Sequence, residues 1–377
     1  MIRFSNAAVA ALSFACALSV MACCKKKSEG DEAPAASASA SAKAPTTKKS
    51  LEEALKDSVP VAAKPTTQLV ASHQLKAELC TIKGVSFLHE SSMSVLRALA
   101  VVGDQMILAD DKGTLRGLTI ERGGGCTLSH DAAFGQGGTL KLDNEIKTLS
   151  HDDSGRVYAS NGIFATFGIK GHKLESKWTN KMAYLEMHPS GKWGLGSFAN
   201  ADVIKTTFEG GAVKTEPWVL KNLGRAGQQG PFNNVNSIGF VGDQVLVGGV
   251  MSEKVDGWEP RQVVAFDAAG KEKFRFGATG KGGGDDKFGW VHAIKGCKQG
   301  ICVLDANMRA LTLWTKDGKF IGKADLKQLF GVNYPWIPSF EIEKGGVGYF
   351  IVGQDRVNAG GKSAGVAEGL IFRVSGL

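Results

Sequence analysis

Long stretches of helical periodicity are scarce in this 377-residue chain, and the compact signatures of most catalytic and nucleotide-binding sites are missing. The histidines at 73, 89, 130, 151, 172, 188 and 292 form no H-E-x-x-H and no H-x-H pattern, which removes the usual zinc-hydrolase arrangement. The glycine-rich stretch GKGGGDDKFG at 280–289 comes nearest to a phosphate cradle. There Lys281 is followed by Gly282, where a P-loop needs Ser or Thr to hold magnesium, and the residues beyond Trp290 do not begin a helix. Cys297 and Cys302 lack a second ligand pair of comparable spacing, so no metal site and no cofactor is expected.

A strong charge of one sign is also lacking in the body. The formal charge is +8, from 45 Lys and Arg against 37 Asp and Glu. Residues 1–66 hold nine and six of these, which leaves 36 and 31 in the rest. Nucleic-acid binding needs a clustered basic stripe with interleaved aromatics, and none occurs.

What is present begins with MIRFSNAAVAALSFACALSVMAC, one early cation followed by an apolar run to Ala22 among small residues, which reads as a secretory signal over 1–22. Its end, Val20-Met21-Ala22-Cys23, resembles the lipobox of bacterial lipoproteins. The resemblance implies cleavage after Ala22, lipidation of Cys23 and a membrane partner through that lipid. Cys24, rather than Asp, follows the lipidated position, which by the same resemblance favours an outer membrane where there is one. The next residues, KKKSEGDEAPAASASASAKAPTTKKS, carry no aromatic and no β-branched run. Such composition cannot bury enough surface to offset chain entropy, so 23–66 is expected to be a lipidated cysteine and disordered linker, and 67–377 the folded body.

In the body, short runs such as QMILAD, RVYAS, QVVAFD, ICVLD, LTLWT and LIFRV recur between Gly, Asp and Lys turns, which is the punctuation of an all-β fold. VVGDQMILAD at 101–110 matches FVGDQVLVGG at 240–249. Aligning the hairpins places equivalent strand-start positions at Arg97, Lys147, Ala183, Asn236, His292 and Pro338, each preceded by an apolar residue. The spacing suits four-stranded blades, and the expectation is a six-bladed β-propeller. GLIFRVSGL at the end and QLVASHQLKAELCTI near residue 68 both read as extended, so the N-terminal strand is expected to complete the last blade. The acidic doublets at 110–111, 152–153 and 285–286 read as turn residues.

The segment FGATGKGGGDDKFGWVHAIKGCKQGICVLDANMRALTLWTKDGKFIG resembles an NHL-type repeat, with its Gly-rich opening, a D-x-x-N-x-R-like turn and D-x-x-G-K-F. The turn departs by one residue, reading Asp305-Ala306-Asn307-Met308-Arg309, and Val291 stands where the family usually has Pro. On this resemblance GKGGGDDKFG is the crossing from one blade's outer strand to the next blade's inner strand. The resemblance also implies lyase or lactonase-type hydrolase chemistry as an alternative function, with or without a metal, at the channel mouth.

Cys297 and Cys302 flank a tight hairpin and are expected to form a disulfide, with Cys80 and Cys126 as the other candidate pair in an oxidising compartment. The strand-start end of a propeller gathers Arg97, Lys147, Asn236 and His292 with Trp290 and Trp336. Two enlarged connections, 251–261 and 353–369, flank the fifth repeat. The expected binding residues are Trp258, Trp290, His292, Asp305, Asn307, Trp336, Asp355 and Arg356, although Trp290 and Trp336 read equally well as packing between blades. The functional expectation is a monomeric, extracytoplasmic binding lipoprotein that recognises an envelope protein, peptide or glycan.

Overall fold

The computed structural model describes residues 55–56, 58–60, 62–89, 96–162, 165–179, 184–198, 202–209, 212–218, 231–279, 284–333 and 336–377. The signal segment, Cys23, Cys24 and Gly280–Gly283 of the glycine-rich stretch lie outside them. The N-terminal strands are β1 (Ser58–Val59), β2 (Thr67–Val70), β3 (His73–Leu79), β4 (Thr81–Lys83) and β5 (Leu88–His89). Then come β6 (Ala98–Val102), β7 (Gln105–Ala109), β8 (Thr114–Glu121), β9 (Thr127–His130) and β10 (Thr139–Lys141) of the first sheet. The second sheet holds β11 (Thr148–His151), β12 (Arg156–Ser160), β13 (Ala165–Lys170) and β14 (Lys173–Thr179). The third holds β15 (Tyr184–Met187), β16 (Gly194–Phe198), β17 (Asp202–Glu209) and β18 (Ala212–Pro217). The fourth holds β19 (Phe232–Val241), β20 (Gln244–Met251), β21 (Arg261–Phe266) and β22 (Glu272–Phe276). The fifth holds β23 (Val291–Cys297), β24 (Gly300–Asp305), β25 (Ala310–Trp314) and β26 (Phe320–Asp325), and the short helix α1 (Leu326–Phe330) leads to β27 (Trp336–Ile342), β28 (Val347–Asn358) and β29 (Ser363–Ser375).

These strands form six sheets in a propeller arrangement, and their first strands touch in the cyclic order β6, β11, β15, β19, β23, β27 and back to β6. The expected six blades are corrected to five built each from one continuous stretch, and the sixth sheet is the composite one that the expected closure by the N-terminal strand requires. Five sheets each take their four-strand core from one continuous stretch of chain, whereas the last is composite, in the order β27, β28, β29, β3, β2. β3 closes it by pairing antiparallel with β29, with Leu79 opposite Phe372 and Ala77 opposite Val374. The reason is that the two chain ends supply complementary edges, and joining them leaves neither edge open.

Each sheet is buried on both faces, which is why its middle strands are continuous apolar runs rather than alternating ones. In β24, Ile301 and Val303 pack toward the fourth sheet, while Cys302 and Leu304 pack toward the last. In β7, Ile107 and Ala109 face the second sheet, and Met106 and Leu108 face Tyr349 and Ile351 of the last. The period of two along a strand thus assigns alternate residues to the two neighbouring interfaces.

Both expected disulfides are present, Cys80–Cys126 and Cys297–Cys302. The first fastens the end of β3 to the start of β9, so the closing strand is bonded covalently to the first sheet as well as by hydrogen bonds to the last. Glu78 reinforces the same junction, because Oε2 lies 2.6 Å from Arg373 of β29 and Oε1 accepts the Cys126 N–H at 2.8 Å.

The expected linker ends earlier than residue 66. Ser58 and Val59 pair with Asn358 and Val357 of β28, and the N–H groups of Lys64 and Thr66 donate to the carbonyls of Gly331 and Leu329 around the end of α1. Gly331 is left-handed at φ 61°, and a Cβ there would fall 1.9 Å from the Lys64 carbonyl oxygen, so only glycine admits this strap. Its composition is linker-like, yet backbone groups suffice for the pairing. A stepwise truncation checks the consequence. Relative to a chain starting at residue 55, one starting at 67 should melt several degrees lower yet still cooperatively, and one starting at 81 should fail to fold, read by thermal unfolding followed by circular dichroism.

Candidate functional site

At one end of the ring the first strands begin and the second strands finish, with Val291 opposite Asp305 and Trp336 opposite Gly353. Three consecutive first strands carry a bulge at this level. Asn236 is extra between the pairs Val235–Gly249 and Ser237–Gly248, and His292 is extra between Val291–Asp305 and Ala293–Leu304. In β27 the irregularity falls at Ile337 and Pro338, between Trp336–Gly353 and Ser339–Ile351. A bulge releases a residue from the ladder and re-aims its side chain. His292 uses that freedom to place Nε2 2.7 Å from the Pro338 carbonyl oxygen, so the imidazole donates to the next sheet's bulge. Burial pushes the His292 pKa below its usual value, which favours the neutral ring.

The bulges open onto a cavity of about 590 Å³ at the mouth of the channel. Trp290, Trp336 and Tyr184 supply aromatic surface to it, and Arg97, Lys147 and Asn236 supply polar groups. The Arg97 guanidinium lies 5.3 Å from the Trp336 ring centre and 3.1 Å from Glu145, whose other oxygen pairs with Lys147.

Three residues further along the strands, a charged layer crosses the channel. Lys295 Nζ is 2.9 Å from Glu186 Oε1 and 2.9 Å from Glu341 Oε2. The side chains are 15% exposed for Lys295, 21% for Glu186 and 8% for Glu341, and Lys295 and Glu186 form part of the cavity wall. His151 Nε2 approaches Glu341 from a fourth strand at 4.0 Å. Burial is the largest influence on Glu186 and raises its pKa, against the pull of Lys295. Burial acts against the Lys295 ammonium, but the two carboxylates prevail and raise its pKa. Next to Lys295 the inner strands draw close, since a Cβ on Gly239 would lie 2.5 Å from the Ile294 carbonyl oxygen. This layer went unread in the sequence, although a signal was there. Three positions beyond Ala183, His292 and Pro338 stand Glu186, Lys295 and Glu341, the charged members of one aligned column.

Of the expected binding residues, the structure brings Trp290, His292 and Trp336 together on the cavity wall. Trp258 lies on the loop between β20 and β21, 42% exposed and outside that wall, with the Arg261 guanidinium 5.8 Å from its ring centre. Asp305 is fully buried and accepts the N–H groups of Gly289, Trp290 and Met308, so it positions the Trp290 backbone and offers no carboxylate to a ligand. Asn307 Nδ2 donates to the Gly289 carbonyl and belongs to the same turn. Asp355 and Arg356 are not on a loop, because the expected loop at 353–369 is the outer half of the long β28–β29 hairpin. Arg356 is held there by Ser58 Oγ at 3.0 Å and Glu368 at 3.4 Å, and Asp355 pairs with Ala367. Among the described residues no group of three His, Cys, Asp or Glu side chains is arranged to hold a metal ion. The described part of GKGGGDDKFG connects β22 to β23, as the crossing between neighbouring sheets.

No family model matches the sequence, and no curated protein matches it. Solved structures similar in shape include the WD40 β-propeller domain of Doa1, at 14% identity and TM-score 0.45, covering 82% of this chain and 88% of that one. BamB from Moraxella catarrhalis is similar at 12% identity and TM-score 0.40, covering 83% and 96%. The Pan2 WD40 domain of Neurospora crassa is similar at 8% identity and TM-score 0.42, covering 75% and 90%.

The charged layer predicts a particular pH response. Removing its only lysine, as Lys295→Met, leaves Glu186 and Glu341 facing each other without a cation and should cost about 3–5 kcal/mol near neutral pH. A carboxyl whose folded pKa is raised binds more protons folded than unfolded, so the variant's stability should fall as pH rises through that window and recover as pH falls. Denaturant unfolding at about pH 5 and about pH 8 checks the sign, and an equal deficit at both would contradict the layer as described.

Proposed function

We propose that this chain is a membrane-anchored, extracytoplasmic binding lipoprotein, lipidated at Cys23, whose channel mouth receives a segment of an envelope protein. The observation that carries the binding reading is the run of bulges in three neighbouring sheets. Regular strands would bury Asn236 and His292 in the ladder, and the bulges instead turn this end of the ring into a concave wall where aromatic faces alternate with amide and charged groups. Such a wall suits a chain that offers apolar stems and a few directional polar groups. Placement outside the cytoplasm is supported by the Val20–Cys23 motif together with two disulfides in the body. The residue after Cys23 supports an outer membrane over an inner one. A glycan partner would use the same aromatic faces and is an outcome of the test.

The double variant Trp290→Ala, Trp336→Ala should lose capture of the partner from native envelope extract at least tenfold. Lys173→Ala with Lys214→Ala, on the outer strands β14 and β18, should leave it unchanged. Thermal unfolding of each preparation separates loss of contact from loss of fold. Equal capture by both variants would place the binding face elsewhere, and release by soluble glycan fragments rather than by peptides would reassign the partner's class.

A further inference from the structure

The mouth holds two charged layers, one richer in cations and one richer in carboxylates. At the rim, Arg97 and Lys147 share the single carboxylate of Glu145, a surplus of one positive charge. At the floor, Glu186 and Glu341 share the single ammonium of Lys295, two carboxylates to one ammonium. The layers are three residues apart along the first strands, or about 10 Å at roughly 3.3 Å per residue. Trp290 and Trp336 line the same cavity, Trp336 beside Arg97 at the rim. A surplus charge within a ring of protein calls for a counter-charge, and at that separation the two layers neutralise one another weakly. The cavity reaches the floor, because Glu186 and Lys295 line it as do Arg97 and Lys147.

Resting on the mouth as the binding site, we propose that its ligand is an ω-ammonium carboxylate, whose ammonium reaches Glu186 on the floor and whose carboxylate stays between Arg97 and Lys147 at the rim, as in a polypeptide ending in lysine. The methylenes of the lysine side chain then lie within the cavity that the two tryptophans help to line, and each end makes charge-assisted hydrogen bonds that a singly charged molecule makes at one end alone. Inserted this way, the zwitterion neutralises both layers without adding net charge to the channel. A free amino acid with a terminal amine has the same chemistry as a C-terminal lysine, and the two sources differ only in what lies beyond the carboxylate-bearing carbon.

Calorimetric titration of the full chain with 6-aminohexanoate, hexanoate and hexylamine tests the assignment. The zwitterion should bind at least tenfold more tightly than either singly charged molecule. Glu186→Gln, which preserves shape, and Lys147→Met, at the exposed rim, should each weaken it about tenfold. Nα-acetyl-glycyl-lysine binding more tightly than 6-aminohexanoate, with its C-terminal amide losing the gain, identifies a polypeptide terminus, and the reverse order identifies a free amino acid. Absence of binding at millimolar concentration, or hexylamine or hexanoate binding as well as the zwitterion, overturns the proposal. If that happens while the tryptophan pair still governs envelope capture, the mouth stands as the binding face and only the charge assignment falls.

Discussion

The ring depends on the antiparallel pairing of β3 with β29. A propeller sheet contributes to its two neighbours only while it stays in place between them, and a ring of sheets has one seam at which the chain does not continue from one strand to the next. Here that seam lies inside the last sheet, where Cys80 donates its N–H to the Ile371 carbonyl at 2.8 Å and the ladder runs on through Val374. The Cys80–Cys126 bond, the Glu78 contacts and the Arg122 guanidinium, at 2.7 Å from Asp104 and 2.6 Å from Glu343, all tie the last sheet to the first around the same seam. Backbone hydrogen bonds, a covalent bond and ion pairs therefore coincide where the chain itself gives no continuity.

The mouth inherits its precision from this closure. Arg97 belongs to the start of the first sheet and Trp336 to the start of the last, so their stacking joins the two sheets that the seam brings together. The charged floor joins β15, β23 and β27, strands that are far apart in sequence and meet only because the ring is closed. Opening the seam would leave the individual hairpins intact yet separate the groups that define the cavity. A ligand bound across the mouth, contacting strands on both sides of the seam, would in turn favour the closed ring.

Much of the architecture was legible because hairpin turns and extended runs are local. The match of VVGDQ to FVGDQ marked the β6–β7 and β19–β20 hairpins, and the aligned starts placed Trp290, His292 and Trp336 at one end of the channel. The closing strand and both disulfides were readable for the same reason, as extended sequence and a small set of cysteines. What escaped depended on partners distant in sequence. Arg356 looked like an exposed loop cation because 353–369 is rich in Gly and polar residues, whereas β1 covers it from about 300 residues upstream. Asp305 looked available because nothing local shows that three backbone N–H groups converge on it. The Glu186–Lys295–Glu341 layer lay in one aligned column, but charges in strands ordinarily face solvent, and only the closed ring turns that column inward.

Native-state hydrogen exchange at the seam tests the account most directly. If the β3–β29 ladder is the constraint that holds the ring, the amides of Cys80 and of β29 residues 372–374 should exchange only through global unfolding, with protection equal to that of the inner ladder of the fifth sheet and the same dependence on denaturant. Exchange at those amides through a local opening well below the global free energy, while the fifth sheet stays protected, would show that the ring holds together without its seam and would contradict the account.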